Sequence, residues 1–286
     1  MAIIPFVDLK KQYLSIQPEI DHAIKSVLQK TSFIQGPYVE AFEKEFAAAV
    51  GAKHCISCAN GTDAIYITLK ALGIGLNDEV ITVANSWIST SETISQTGAT
   101  PVFVDCDADY YTINVQEIES KLTAKTKAII PVHLYGQPAD MDPIKKLCEK
   151  HNLFLIEDCA QAHLAKYKGK QVSSMGTAGT FSFFPGKNLG AYGDAGAIVT
   201  NDDDLFRKAK LYARHGALIK HQHEIEGINS RMDGLQAAIL SVKLKYLSKW
   251  TKQRQKNASL YSKLLKKVPN VTTPTIRPNS SHVFHL

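Results

Sequence analysis

Ala128-Ile-Ile-Pro-Val-His-Leu134, the segment Pro143 to His151 and Leu153-Phe-Leu-Ile156 together decide the fold of this 286-residue chain. The first and third are largely apolar runs, and the segment between them is amphipathic at helical spacing. Apolar runs of this kind read as strands covered on both faces, and strands joined through a helix belong to a parallel sheet. The pattern extends both ways. Strand-like runs also occupy His54 to Ala59, Glu79 to Ala84, Pro101 to Asp105, Thr180 to Phe184 and Ala197 to Thr200, with helical stretches at Asp63 to Leu72, Ser91 to Thr97 and Val115 to Leu122. The architecture is α/β with a mainly parallel sheet.

With 44% hydrophobic and 21% charged residues, the composition excludes disordered, collagenous and disulfide-scaffold classes. No apolar run approaches the ~18 residues of a membrane span. The start has no basic segment ahead of its short apolar patch, which argues against a secretory signal and for a cytoplasmic protein. Five scattered cysteines fit reduced thiols. Cys55-Ile-Ser-Cys58 lacks the further Cys or His ligands of a zinc site and reads as part of an apolar strand, so no metal is expected.

The net charge of +6 is unevenly placed, because residues 241–286 hold ten Lys or Arg and no acidic residue. Such a stretch can attract nucleic acid or a phosphorylated ligand. Leu235, Ile239, Val242, Tyr246, Leu247 and Trp250 interleave the charges at helical spacing, which favours the solvated face of a long helix. Prolines 269, 274 and 278 then end any helix, and Ser281 to Leu286 resembles the beginning of a strand. The expected organisation is a large domain over residues 1–240, and a linker helix with the beginning of a small C-terminal α/β domain over 241–286.

In a parallel α/β sheet, ligands bind beyond the carboxyl ends of the strands. Four sites there can carry chemistry. Asn60-Gly61-Thr62-Asp63 follows a strand and opens a helix, so its free amides and the Thr62 hydroxyl can cradle a phosphate, although an ordinary capped turn has the same look. Asp158, in Glu157-Asp158 at a strand exit, needs a cationic partner or hydrogen bonds to stay ionised. Phe181-Ser-Phe-Phe-Pro-Gly-Lys187 delivers a lysine to the same layer, and an apolar surround would disfavour its ammonium as a Schiff-base amine requires. Trp87 is an aromatic in a polar loop, fit for stacking or for the core. A phosphate cradle, a carboxylate, a lysine and an aromatic plate are together the parts that hold pyridoxal phosphate, with Asp on the pyridine nitrogen.

These segments, with Glu157-Asp-Cys-Ala-Gln161, Tyr192-Gly-Asp194, Gly227-Ile-Asn-Ser-Arg-Met-Asp233 and the opening Ile4-Pro-Phe-Val-Asp-Leu-Lys10, resemble the DegT/StrS-type nucleotide-sugar aminotransferases. The resemblance implies a three-layer, aspartate-aminotransferase-like fold and a homodimer with active sites shared at the interface. It makes Lys187 the covalent cofactor lysine, Asp158 the partner of the pyridine nitrogen and Trp87 the stacked ring. Gly61, Thr62 and Ser182 would hold the phosphate together with Asn229 of the second subunit, and Gln161 would lie near the cofactor ring. Leu164 and Ala195 stand where relatives commonly carry glycine. Relatives also continue past this chain's last residue, which implies a C-terminal truncation.

The implied reaction is transamination of a nucleotide-linked keto sugar with glutamate as donor, in amino-sugar and cell-surface polysaccharide biosynthesis. Lys187 argues against the dehydratase branch, in which histidine replaces the lysine. Ala160-Gln161 and Pro185-Gly186-Lys187 look more like enzymes that aminate C3 than those that aminate C4. Arg214 and His215 are candidates for the nucleotide diphosphate. The competing expectations are a 4-keto specificity, an inactive fragment and a nucleic-acid-binding regulator.

Overall fold

The computed structural model describes residue 5 and residues 7–286. Ile4 and Phe6 of the opening segment therefore lie outside the described residues. Three helices come first: α1 (Leu9–Leu14), α2 (Gln17–Lys30) and α3 (Pro37–Val50). Pro37 takes the first position of α3, where its missing N–H has no partner to lose. The alternating part then runs β1 (His54–Cys58), α4 (Gly61–Ala71), β2 (Glu79–Val83), α5 (Ser89–Gln96), β3 (Thr100–Val104), α6 (Val115–Ile118), β4 (Thr126–Ile130), α7 (Met141–His151), β5 (Phe154–Asp158), β6 (Ala178–Ser182), β7 (Gly196–Thr200) and α8 (Asp203–Tyr212).

These seven strands form one sheet in the order β1-β7-β6-β5-β4-β2-β3. Neighbours from β6 through β3 run parallel, as the apolar runs predict, and β7 alone is antiparallel to the strands on either side of it. Burial on both faces explains the continuous runs, since every residue of β7 is buried. One face packs Phe42 and Phe46 of α3 edge-on against Phe181 and Phe183, with ring centres 4.9–5.4 Å apart between the two groups. On β1, Cys55 and Cys58 are free and buried, as an apolar strand requires.

A single 32-residue helix, α9 (Gly234–Leu265), crosses residue 240, so the two expected units share it. Its first half packs on α2 and α3. The predicted strand over Ser281 to Leu286 is limited to Ser281, which with Ser280 pairs against Lys166–Tyr167. The residues beyond it instead follow the turn after β4, with the Val283 amide donating to Gly136 at 3.0 Å and the His285 amide to Tyr135 at 2.8 Å. Tyr135 and Gly136 have φ of 60° and 98°, a left-handed course that cannot extend a ladder. Among the described residues, no helix is long and apolar enough to cross a membrane.

Candidate active site

The exits of β1, β5 and β6 converge at the carboxyl edge of the sheet. Asn60 caps α4 by accepting the Asp63 amide at 2.8 Å. That leaves the amides of Gly61 and Thr62 without partners among the described residues, pointing out of the helix start. The Thr62 hydroxyl lies 2.8 Å from that of Ser89. Gly61 abuts the exit of β6, where a Cβ on it would come within 3.2 Å of the Ser182 hydroxyl. Three predicted residues, Gly61, Thr62 and Ser182, thus form one small cradle.

Asp158 is buried at the end of β5. Its carboxylate accepts from Thr90 Oγ1 at 3.0 Å and from the Ala160 amide at 3.1 Å. Burial pushes its pKa up, against those two hydrogen bonds and the charge of Lys187. Burial lowers the Lys187 pKa, and Asp158 is the one charged group that opposes the shift. Carboxylate and amine are therefore electrostatic partners in a site that disfavours the ammonium. Gln161 follows on the same loop and accepts the Tyr135 amide at 2.6 Å. Trp87, three residues before Thr90, is 74% exposed and turned to solvent, not into the core.

The other candidates lie elsewhere in the chain. Arg214 Nη2 stands 4.0 Å from Glu43, and the His215 amide donates to Ile228 at 3.0 Å. Neither makes a hydrogen bond or ion pair with Lys187 or Asp158 among the described residues. Asn229 is exposed, and its main chain bridges to Arg214. The next residue, Ser230, donates to Asp63 at 2.6 Å and ties this segment to α4.

Sequence reasoning missed the supports. Successive residues of a strand face opposite sides, so Glu157 points away from Asp158. It accepts the amides of Ser173, Met175 and Gly176 at 2.8 Å each. His133 accepts the Ala139 amide at Nδ1, so its proton sits on Nε2 and is donated to Glu157 at 3.1 Å. Cys159 lies close to both, but these bonds already use their donor atoms for structure. Lys243 of α9 is 1% exposed and donates to the Gly190 carbonyl at 2.6 Å, anchoring the turn that follows Lys187. A lysine within an apolar helix stripe was the signal for it. Thr90 was signalled only by its place after β2.

The donor set fits pyridoxal phosphate: two free amides and two hydroxyls for a phosphate, a buried carboxylate for a ring N–H, and an amine held toward its neutral form.

Comparison with known proteins agrees. The chain matches the DegT/DnrJ/EryC1/StrS aminotransferase family over residues 14–286. It is 49% identical to the "Pleiotropic regulatory protein" of Geobacillus stearothermophilus, over 99% of this chain and 76% of the relative. It is 47% identical to the UDP-2-acetamido-2-deoxy-3-oxo-D-glucuronate aminotransferase of Pseudomonas aeruginosa, over 99% of this chain and 78% of the relative. The crystal structure of S. venezuelae DesV in complex with a ketimine intermediate superposes with a TM-score of 0.98 at 40% identity, covering 100% of this chain and 77% of DesV. With that fold and that match, the chain belongs to the DegT/DnrJ/EryC1/StrS family of pyridoxal-phosphate-dependent sugar aminotransferases.

Proposed function

We propose that the protein transfers an amino group from glutamate to the 3-keto position of a nucleotide-linked sugar. The observation that carries this is that the buried Asp158 and the half-buried Lys187 lie within electrostatic reach of one another at the same sheet edge as Gly61, Thr62 and Ser182. The 3-oxo sugar in the name of the Pseudomonas relative supports the ring position. So does the Ala160-Gln161 and Pro185-Gly186-Lys187 pairing in the sequence.

When bound, pyridoxal phosphate supplies an aldehyde that condenses with amines and a ring that draws electrons from the adjoining carbon. The amides of Gly61 and Thr62 and the hydroxyls of Thr62 and Ser182 would bind its phosphate, with Asn229 of the second subunit of a homodimer. Asp158 would accept the N–H of the ring nitrogen. Thr90 and the Ala160 amide fix the carboxylate for that contact, and its negative charge would keep the ring nitrogen protonated. Trp87 would stack on the ring from the solvent side and limit water. Lys187 Nζ, held toward the neutral amine by burial, takes the proton from the amino-bearing carbon of the donor and later returns one to the sugar carbon.

Replacing Lys187 by Ala should abolish both the visible absorbance of lysine-bound pyridoxal phosphate and turnover of a 3-keto nucleotide sugar with glutamate. A variant with full activity sinks the proposal.

A second function rests on different residues. Lys245, Lys249, Lys252 and Lys256 line one groove on α9, and the Geobacillus relative is named as a regulator. Salt-dependent DNA binding by protein that takes up no cofactor would favour it.

A further inference from the structure

Cationic and imidazole groups gather near Lys187 with no anion among them. Arg254 projects from α9, His285 belongs to the segment after it, and His163 lies on the loop after β5. Among the described residues the Arg254 guanidinium makes no hydrogen bond or ion pair. Its Nη1, the Nδ1 of His285 and both ring nitrogens of His163 are buried and unpartnered.

The backbone that carries these groups is fixed. The His285 amide donates to Tyr135 at 2.8 Å, and Asn188, next to Lys187, donates to the Val283 carbonyl at 3.1 Å. Gln255, next to Arg254, donates to the His282 carbonyl at 2.9 Å. Burial, then the charges of Lys187 and Arg254, push the His285 pKa down to about 4. Burial, then Lys187, His285 and Arg254, push His163 to about 3. Both rings are therefore neutral at pH 7, and Arg254 is left as a largely buried cation without a counter-charge. The buried carboxylate at this sheet edge, Asp158, is committed to Thr90, Ala160 and Lys187. A cation in this state is completed by an anion from outside the chain.

We propose that Arg254 and His285 bind the carboxylate of the amino donor, an α-amino acid, with the guanidinium as charged donor and the neutral imidazole as a second N–H. This assignment rests on the aminotransferase function proposed above and adds the residues that recognise the donor. The chemistry selects a carboxylate over the other anions of the reaction. In an α-amino acid the carboxylate is one bond from the carbon that reacts at Lys187, so its site must adjoin that lysine. The diphosphate of a nucleotide sugar is separated from C3 by the ring and the glycosidic oxygen, which calls for a more distant site. The cofactor's phosphate has its own cradle at Gly61 and Thr62. A planar guanidinium also matches a carboxylate in two-point contact.

The test is calorimetric titration of the cofactor-loaded protein with glutarate, a dicarboxylate that cannot be transaminated, alongside separate titrations with UDP and dTDP. Wild type should bind glutarate. Arg254→Met should weaken that binding roughly 10- to 100-fold, the effect of losing a charge-assisted hydrogen bond. Arg254→Lys should recover part of it, and nucleotide affinity should stay unchanged. Where Arg254→Met does not fold, His285→Phe carries the test, with several-fold weaker glutarate binding expected. Glutarate affinity equal in wild type and variants overturns the assignment. So does loss of nucleotide binding in place of glutarate binding, or no glutarate binding by wild type. The visible absorbance of lysine-bound cofactor reports separately on the parent function. Its absence in wild type defeats the cofactor site itself, whereas its presence with glutarate-insensitive variants defeats only the donor site.

Discussion

Gly61 and Ser182 stand so close that a Cβ on the glycine would lie 2.5 Å from the serine Cβ. The start of α4 and the exit of β6 therefore meet at a distance only glycine permits. Gly61→Ala must push them apart. It should cost about 1–3 kcal/mol of stability as an overpacked contact and weaken cofactor uptake at least ~10-fold by misplacing the free amides. Denaturant melts and absorbance titrations with pyridoxal phosphate check both. Unchanged uptake would mean that the cradle lies elsewhere.

Asp158 separates stability from function. Its folded pKa is raised, so an ionised Asp158 is a burden on the fold. An acid of this kind favours folding below its unfolded pKa, and the benefit disappears as pH rises through the folded value. Asp158→Asn removes the burden and can still accept from Ala160 while donating to Thr90. Without cofactor, the variant should be at least as stable as wild type at pH 7, yet it should hold the cofactor poorly. A large loss of stability in the cofactor-free variant would contradict this account.

Lys243 predicts a rise of stability in alkali. Burial lowers its pKa to about 8, below the ~10.4 of an unfolded chain. Between these values the unfolded state carries the extra proton, so stability from this group increases as pH climbs from 8 toward 10.4. The difference amounts to about 3 kcal/mol. Lys243→Met should be closest to wild type in stability near pH 7 and fall behind it above pH 9, which parallel melts at several pH values would reveal. A pH-independent difference would show that the ammonium is not the group responsible.

Leu164 has φ of 65°, in the left-handed region that glycine enters freely. Side chains other than glycine lose about 1–2 kcal/mol in this conformation. Leu164→Gly should therefore be more stable than Leu164→Ala by about 1 kcal/mol, the reverse of the usual order. Chemical denaturation of the two variants side by side decides it.

The parallel sheet was legible because strands covered on both faces leave long apolar runs, and five of the seven strands follow that rule in parallel register. The antiparallel direction of β7 was not, because Gly196–Thr200 is as apolar as any parallel strand and burial carries no sign of direction. The segments around Lys187, Asp158 and Gly61 were readable from residue type alone at strand exits. Lys243 and His285 were not, since the Gly190 carbonyl that Lys243 meets and the Lys187 that His285 faces lie over fifty residues away in the chain. A basic residue on an amphipathic helix reads as solvated until the packing is known. The course of Ser281 to Leu286 depended on the left-handed turn at Tyr135, which no local pattern announces.

The pairing of β1 with β7 also sets an order of events during synthesis. Cys58, two residues before the cap of α4, lies opposite Gly196, and a Cβ on Gly196 would stand 2.2 Å from the Asn60 carbonyl. The start of α4 thus lacks part of its backing until β7 has left the ribosome. At roughly 5–20 residues per second, the nascent chain spends on the order of ten seconds with that pocket open. A cofactor present from the start of translation would find nothing to bind until most of the sheet had closed.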